Sequence, residues 1–272
     1  MRSIILYSGV EFEKEELAIA SKYFTCTNRR PDIQADDLVI GRYSLAFWYA
    51  DQEKDFKQVG AKLINSYQQH RYIADLQNYV MDLGDLTPRT WTSPVDLPEN
   101  MSFVVKGETY SRKNNWKQDM FAPDKKTAIE IVGRLMNDSL IGQGNIYIRQ
   151  YQPMITYLEG VNGMPITKEF RFFVAYGQII SGGFYWQNYI DQINPLPDPA
   201  EVPLSFLQEV IDRVGNQSNF FVIDVGQAIT GEWFVVELNE GQQSGLSCNE
   251  PEVLYSGLSK VISQQQVVFS EP

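Results

Sequence analysis

Histidine and cysteine are nearly absent from this chain: His70 stands alone, and Cys26 and Cys248 are the only cysteines in 272 residues. Two isolated cysteines are too few for a disulfide framework or a zinc site, and they fit a reduced, intracellular setting. A lone histidine makes neither a histidine-rich metal centre nor, by itself, a catalytic triad. Long apolar runs are missing too. No stretch approaches the roughly 20 residues that span a bilayer, and Met1–Ser8 has too short an apolar core for a signal peptide. Positive charge is scarce: 23 Lys and Arg face 34 Asp and Glu, a formal net charge of −11. That balance disfavours broad contact with a polyphosphate backbone while leaving room for a local cationic pocket. The expectation is a soluble, acidic, cytoplasmic globular protein.

Hydrophobic residues, at 43%, are plentiful enough for a real core and exclude a disordered chain. Ile4–Tyr7 reads as a strand, about Glu13–Tyr23 as a helix, and Asp37–Tyr43 and Leu45–Tyr49 as further strands. The spacing of Phe56, Val59, Leu63 and Ile64 predicts a helix over Glu53–Asn65, and that of Ile73, Leu76, Tyr79 and Val80 another over Arg71–Met81. Strands alternating with helices make a small α/β layer. Thr87-Pro-Arg-Thr90 ends it, and the run to Asn100 reads as a linker, so domains are expected at 1–98 and 99–272. Beyond it come a strand at Phe103–Lys106, a basic segment at Ser111–Lys117, a helix at Thr127–Met136 and a strand at Asn145–Tyr151. Glu169–Tyr176 and Gln178–Trp186 pair across Gly177. Four prolines make Asn194–Pro203 a loop, Leu204–Val214 is helical, and the tail from about Glu252 mixes a short helix with a polar run.

The most informative stretch is Phe220–Gly241, two apolar strands (Phe220–Val225 and Trp233–Leu238) joined by a turn at Gly226 and Thr230-Gly231. Strand side chains alternate, so Glu237 and Asn239 share a face, and a paired strand brings Asp224 beside them. Such an oxygen set suits Mg2+, which uses one or two carboxylates plus substrate phosphates. The plainer reading makes Asp224 a turn residue and leaves Glu237 on a solvated face. Upstream strands carry Lys106, Arg149 and Arg171, cations able to grip phosphate oxygens. Lys106, closing an apolar strand, is, taken alone, more simply read as a side chain snorkelling to water.

Five segments, Phe103-Val-Val-Lys106, Tyr147-Ile-Arg-Gln-Tyr-Gln-Pro153, Lys168-Glu-Phe-Arg-Phe-Phe-Val174, Val222-Ile-Asp-Val225 and Val235-Val-Glu-Leu-Asn-Glu-Gly-Gln-Gln-Ser-Gly-Leu246, resemble in order and spacing the ATP-grasp superfamily of ATP-dependent ligases. The likeness is nearest to the compact bacterial and phage clade named for two arginines and a lysine. It implies an α+β ATP-grasp fold with a small N-terminal α/β (pre-ATP-grasp) domain, and two subdomains, split near residue 150, clasping ATP and Mg2+. By resemblance, Lys106 and Arg171 contact the nucleotide phosphates, Lys113 is a second cation, and Arg149 is the clade's other arginine; Lys106, Arg149 and Arg171 are the catalytic candidates. Gln150 and Tyr151 form the hinge that receives adenine, and Asp224, Glu237 and Asn239 hold Mg2+. Glu169 either orients Arg171 or faces the substrate.

The implied reaction phosphorylates a carboxylate and lets an amine, or another nucleophile such as a thiol, displace phosphate. The implied partners are small-molecule or peptide acids and amines. A nucleic-acid end-joining enzyme is an alternative that the missing basic stripe disfavours, and a non-catalytic nucleotide-binding module is another. One departure stands out: Glu108–Lys117, where many relatives carry a glycine-rich loop, has no glycine. Arg112, Lys113 or Lys117 then replaces backbone amides, or the segment is an ordinary basic surface loop. Trp116, Tyr185, Trp186 and Tyr189 line a pocket or pack as core, and acidic Asp191–Glu201 either selects a cationic amine or is simply solvated.

Overall fold

In the computed structural model, which describes residues 2–10, 13–43, 48–108 and 110–268, the first strands are short and parallel. β1 (Ser3–Leu6), α1 (Lys14–Ala20), β2 (Thr25–Thr27), β3 (Leu38–Gly41), α2 (Tyr49–Gln58) and β4 (Lys62–Leu63) build a sheet of order β2-β1-β3-β4. Burial on both faces accounts for the continuous hydrophobic runs of the two central strands, β1 and β3: Ile4, Leu6 and Val39 pack on Tyr49 and Phe56, while Ile5 and Ile40 enter a separate cluster. The helix expected over 53–65 instead stops at Gln58. Gly60 takes φ +80°, a left-handed turn that re-aims the chain, so Leu63 and Ile64 leave the helix for β4 and the segment after it. Of the strand expected at Leu45–Tyr49, residues 45–47 lie outside the described residues, and Tyr49 opens α2.

The single helix expected over 71–81 is two, α3 (Tyr67–Ala74) and α4 (Leu76–Leu83). Ser66 and Gln69 start α3 with a reciprocal capping box. Asp75 breaks the run because its carboxylate serves three donors at once: the Gln77 amide at 3.2 Å, Arg71 at 3.0 Å and the Tyr147 hydroxyl.

A second, antiparallel sheet of order β5-β8-β6-β7 comprises β5 (Thr90–Trp91), β6 (Phe103–Gly107), β7 (Phe121–Ala122) and β8 (Ile146–Gln150), with α5 (Trp116–Asp119) and α6 (Lys125–Met136) between its strands in sequence. Residue 98 falls in the connection from β5 to β6, so part of the stretch read as a linker already pairs in this sheet. Phe103, Val105 and Ile148 pack on Ala128, Ile131 and Leu135 of α6. Period-two alternation turns Val104 and Lys106 to the opposite face.

After the small pair β9 (Thr156–Glu159) and β10 (Pro165–Thr167), the third sheet is assembled from β11 (Glu169–Ala175), β12 (Gln178–Phe184), β13 (Phe220–Gln227) and β14 (Trp233–Glu240), in order β12-β11-β13-β14. One face buries Phe170, Phe172, Val174, Phe221 and Ile223 against α4 and against α7 (Leu204–Val214). The other buries Phe173, Ala175, Phe220 and Val222 under α8 (Pro251–Val268), a longer helix than the tail suggested, and against Ile5 and Ile40. That second face is covered over only part of its length. Farther along the same strands, at the same parity, stand Glu169, Arg171 and Asp224.

Two local features shape this open end. The register shifts between Asp224, opposite Glu237, and Val225, opposite Val235, so Val236 is an extra bulged residue. Val235 and Leu238 therefore both enter the core, while Val236 and Glu237, adjacent in sequence, both reach the cleft. At Gly183 a Cβ would lie 2.5 Å from the Cys248 backbone, so glycine there lets the segment after β14 cross the sheet. Among the described residues no helix is long and apolar enough to cross a membrane.

Candidate active site

Between the second and third sheets lies a cleft with two contiguous parts. The first is walled by apolar side chains, chiefly Val104, Met120, Met154, Met164, Phe234 and Val236, edged by Trp116 and Trp186, with Gln150 and Tyr151 at its rim. The second is polar and contains Arg171, Tyr185, Asn239, Gln243 and Ser244, with His70 and Arg71 on the α3 side. Lys106, Ser111, Lys113 and Glu237 line both parts and mark the passage between them.

The charged residues expected from the sequence converge here. Arg171, Asp224 and Glu237 lie in register across β11, β13 and β14. Arg171 grips Asp224 with a two-pronged fork, Nε to Oδ1 at 2.8 Å and Nη2 to Oδ2 at 2.7 Å, and its Nη1 donates to the Gly245 carbonyl at 2.9 Å. Asn239 Nδ2 adds a third donor to Asp224 at 3.0 Å. Asp224 is fully buried, so these bonds are what make its charge tolerable.

Lys106 reaches across the cleft to an ion pair with Glu237, which joins the two sheets. Burial alone would push the Glu237 carboxyl up; the neighbouring Lys106 and Lys113 and the bonds from Lys106 and Asn239 win, and hold it well below the usual carboxylate range. Lys113 donates to the Tyr185 hydroxyl at 2.5 Å and lies 4.5 Å from that ring's centroid. Burial works against its ammonium, but Tyr185, Glu237 and Glu169 outweigh that and raise it above its ordinary value. Glu169, facing the apolar part, is pushed up to about 7, chiefly by burial, with Asp224 and Glu237 adding to it and Lys113 opposing.

Arg149 is nearly buried and spends its donors on tethering: Nη1 on the Val236 carbonyl freed by the bulge, Nη2 on Thr87 Oγ1 at 2.7 Å and Nε on Thr90 Oγ1 at 3.3 Å. Burial lowers the pKa of its guanidinium. The glycine-free loop divides its cations. Arg112 pairs with Asp138 and Lys117 with Glu159, both on the surface, so Lys113 alone of the three enters the cleft; Thr109 lies outside the described residues. Trp116, Tyr185 and Trp186 line the cavities, whereas Tyr189 packs against the core. Among the described residues, none from Asp191–Glu201 lines either part, and Glu201 instead pairs with Lys168 at 2.5 Å.

Sequence reading missed His70, Glu240, Gln243 and Ser244, which come from α3 and from the end of β14 onward. The only advance signal was the Gly-Gln-Gln-Ser-Gly run after β14. The set Asp224, Glu237 and Asn239 suits a hard cation in donor chemistry: two carboxylates in register, one of them held ionised, and an amide whose nitrogen is occupied and whose oxygen has no partner among the described residues. Among the described residues no three His, Cys, Asp or Glu cluster as a metal site of their own, so phosphate oxygens would have to complete the shell.

The profile of the ATP-grasp domain, R2K clade family 3, matches residues 95–258. No curated protein matches the chain. Among solved structures, D-cycloserine synthetase DcsG is similar over 96% of this chain and 99% of its own, with a TM-score of 0.62 at 14% identity. The macrocyclase MdnC bound with precursor peptide MdnA, from Microcystis aeruginosa MRC, gives 0.58 at 11% identity over 97% and 100%. The ATP-grasp ligase PsnB, complexed with minimal precursor, Mg and ADP, gives 0.56 at 11% identity over 97% and 98%. At such identities the likeness shows the shared fold. With Lys106, Arg149, Arg171, Asp224, Glu237 and Asn239 all inside the matched stretch, the chain belongs to the ATP-grasp superfamily, in family 3 of the R2K clade.

Proposed function

We propose that this protein is an ATP-dependent ligase that activates a carboxylate as an acyl phosphate and joins it to an amine or similar nucleophile, releasing ADP and phosphate. The observation that carries the reading is the two-part cleft: an apolar slot opens, past Lys106, Lys113 and Glu237, into a charged cavity where Arg71, Lys106, Lys113 and Arg171 face Glu108, Glu237 and Glu240. A nucleotide matches that order, with a flat apolar base at one end and a polyanion at the other. In this reading residues 99–272 form the ATP-grasp domain, with subdomains meeting near residue 150, and residues 1–98 its N-terminal companion. The base lies against Val104, Met154, Phe234 and Val236, beside the Gln150–Tyr151 backbone. Lys106 and Lys113 take the phosphates, and Arg171, aimed by Asp224, offers its remaining N–H groups to the transferring phosphoryl.

Asp224, Glu237 and Asn239 would hold Mg2+, which supplies neutralising charge to phosphate oxygens. Lys106, which now pairs with Glu237, would exchange that carboxylate for the phosphates and leave it free as a ligand. Arg149 keeps β8 docked on β14, so the slot does not splay. The acid's oxygen attacks the terminal phosphorus, ADP departs, and the nucleophile then attacks the acyl carbon. The chain contributes in-line placement and fixed positive charge, with no covalent protein intermediate. DcsG, MdnC and PsnB, whose names refer to a small-molecule synthetase, a peptide macrocyclase and a ligase with a precursor, support a small-molecule or peptide acid.

Incubation with Mg2+, ATP, hydroxylamine and a panel of amino acids and short peptides tests this reading. ADP and hydroxamate in equal amounts are expected. AMP release would indicate an adenylate and support polynucleotide-type ligation instead; ATP binding without turnover across the panel would favour a nucleotide-binding module.

A further inference from the structure

The polar cavity has a wall that the phosphate chemistry leaves unused. His70 of α3 is 4% exposed and stacks on Tyr49 of α2, with centroids 4.0 Å apart and planes 7° from parallel. Its Nδ1 lies 3.3 Å from Glu240 Oε2. The other oxygen, Glu240 Oε1, accepts from Asn65 Nδ2 at 2.7 Å and Gln242 Nε2 at 2.9 Å; Gln242 Nε2 also reaches the Tyr49 hydroxyl at 2.6 Å, which donates to the Asn65 carbonyl at 2.9 Å. Three donors on one buried carboxylate fix its position, and the stack fixes the imidazole plane.

A carboxylate only accepts, so Nδ1 carries a proton, and in the neutral imidazole the lone pair is left on Nε2. Among the described residues Nε2 has no hydrogen-bond partner and is not one of the sealed, unpartnered buried atoms, and His70 lines the cavity that holds Lys106, Lys113, Arg171 and Glu237. Nε2 is therefore open to whatever occupies the cavity. Beside it, Gln243 Nε2 is buried and unpartnered at the same cavity, a donor awaiting an oxygen. The titratable groups around the imidazole are Glu240 from β14, Tyr49 from α2, and Tyr67 and Arg71 from its own helix.

We propose that His70 is the catalytic base that deprotonates the incoming amine, an assignment that rests on the ligase reading above. The amine arrives as an ammonium ion. Nε2 takes one proton, and the freed lone pair attacks the acyl phosphate carbon. The C–N bond forms, the C–O bond to phosphate breaks, and the second nitrogen proton leaves with the phosphate as hydrogen phosphate.

Because His70 is the sole histidine, two measurements on the full chain read it without interference. Long-range 1H–15N spectra at pH 8 are expected to show one imidazole, protonated at Nδ1 and bare at Nε2. Bromoacetamide, whose methylene carbon is attacked by Nε2 with loss of bromide, is expected to label His70 and to be slowed by Mg-AMPPNP, which fills the cavity that His70 lines. A third arm uses His70→Gln with the acid giving most hydroxamate in wild type. Transfer to methylamine should fall by about a hundredfold or more, the usual worth of a general base, while transfer to hydroxylamine, largely unprotonated at neutral pH, and Mg-AMPPNP affinity stay within about twofold of wild type on the same argument. An Nε2-protonated tautomer, no labelling at His70, or equal losses with both nucleophiles overturns the assignment. Wild type that binds no Mg-AMPPNP overturns the ligase reading itself, and the base role with it.

Discussion

Replacing Asp224 by Asn tests whether the Arg171–Asp224 pair is a structural unit before it is a catalytic one. Asp224 is fully buried and Arg171 is 8% exposed. An amide keeps one acceptor but turns a second donor toward a site where Arg171 Nε, Arg171 Nη2 and Asn239 Nδ2 all already donate. The guanidinium is left without its counter-charge, and breaking a buried pair by removing one partner costs roughly 3–5 kcal/mol. At about 2–4 °C per kcal/mol for a chain of this size, Tm should drop by roughly 6–20 °C. The simple expectation for a metal ligand, lost turnover with an intact fold, therefore holds less well at Asp224 than at Glu237. Thermal unfolding of Asp224→Asn, Arg171→Met and the double variant reads the effect. The double variant should recover much of the loss, because two neutral side chains leave no orphaned charge. An Asp224→Asn protein melting within about 2 °C of wild type, or additive losses in the double variant, would refute the reasoning.

Glu237→Gln should cost roughly 1–3 kcal/mol of stability, because Lys106, only 15% exposed, loses its counter-charge, and should lose Mg2+-dependent ATP consumption; unaltered consumption removes Glu237 from the metal set. Lys106→Met should weaken Mg-AMPPNP binding roughly ten- to hundredfold, the worth of one charge-assisted bond, read by calorimetry, and unchanged affinity counts against its phosphate role. Arg149→Lys keeps the charge but not the fork, so at least one of its three bonds fails, costing roughly 1–3 kcal/mol in urea unfolding; no loss means the tether is immaterial. Glu169, raised to about 7, takes up its proton more readily folded than unfolded. Its contribution is thus full below about pH 4.5 and fades as pH rises toward 7, so wild type should lose on the order of 3 kcal/mol relative to Glu169→Gln over that range. A pH-independent difference between the two proteins contradicts the burial of a carboxyl there.

Much of the site was legible because strand alternation is a strict period. It put Glu237 and Asn239 on one face of β14, and the in-register partner of Glu237 is indeed Asp224. What stayed hidden is long-range or a departure from that period. Nothing local announces that Val236 is bulged, yet the bulge brings two neighbouring residues to the cleft and frees the carbonyl that Arg149 binds. Nor does the basic loop reveal which of its cations turns inward, because Asp138 and Glu159, which draw Arg112 and Lys117 outward, lie 26 and 42 residues away. The helix expected over 53–65 continued too far because Leu63 and Ile64 keep helical spacing; Gly60 at +80° was the stop signal. His70 was set aside as a lone histidine, and its anchor Glu240 is 170 residues distant.

Whether one nucleotide spans both parts of the cleft is read most directly from a structure of the protein with Mg-AMPPNP. The adenine should lie between Val104, Met154 and Phe234, the triphosphate should run past Lys106 and Lys113, and a metal should sit against Asp224, Glu237 and Asn239. A nucleotide bound elsewhere, or bound in the slot with its phosphates pointing away from Lys106 and with the Lys106–Glu237 pair unbroken, would contradict that arrangement.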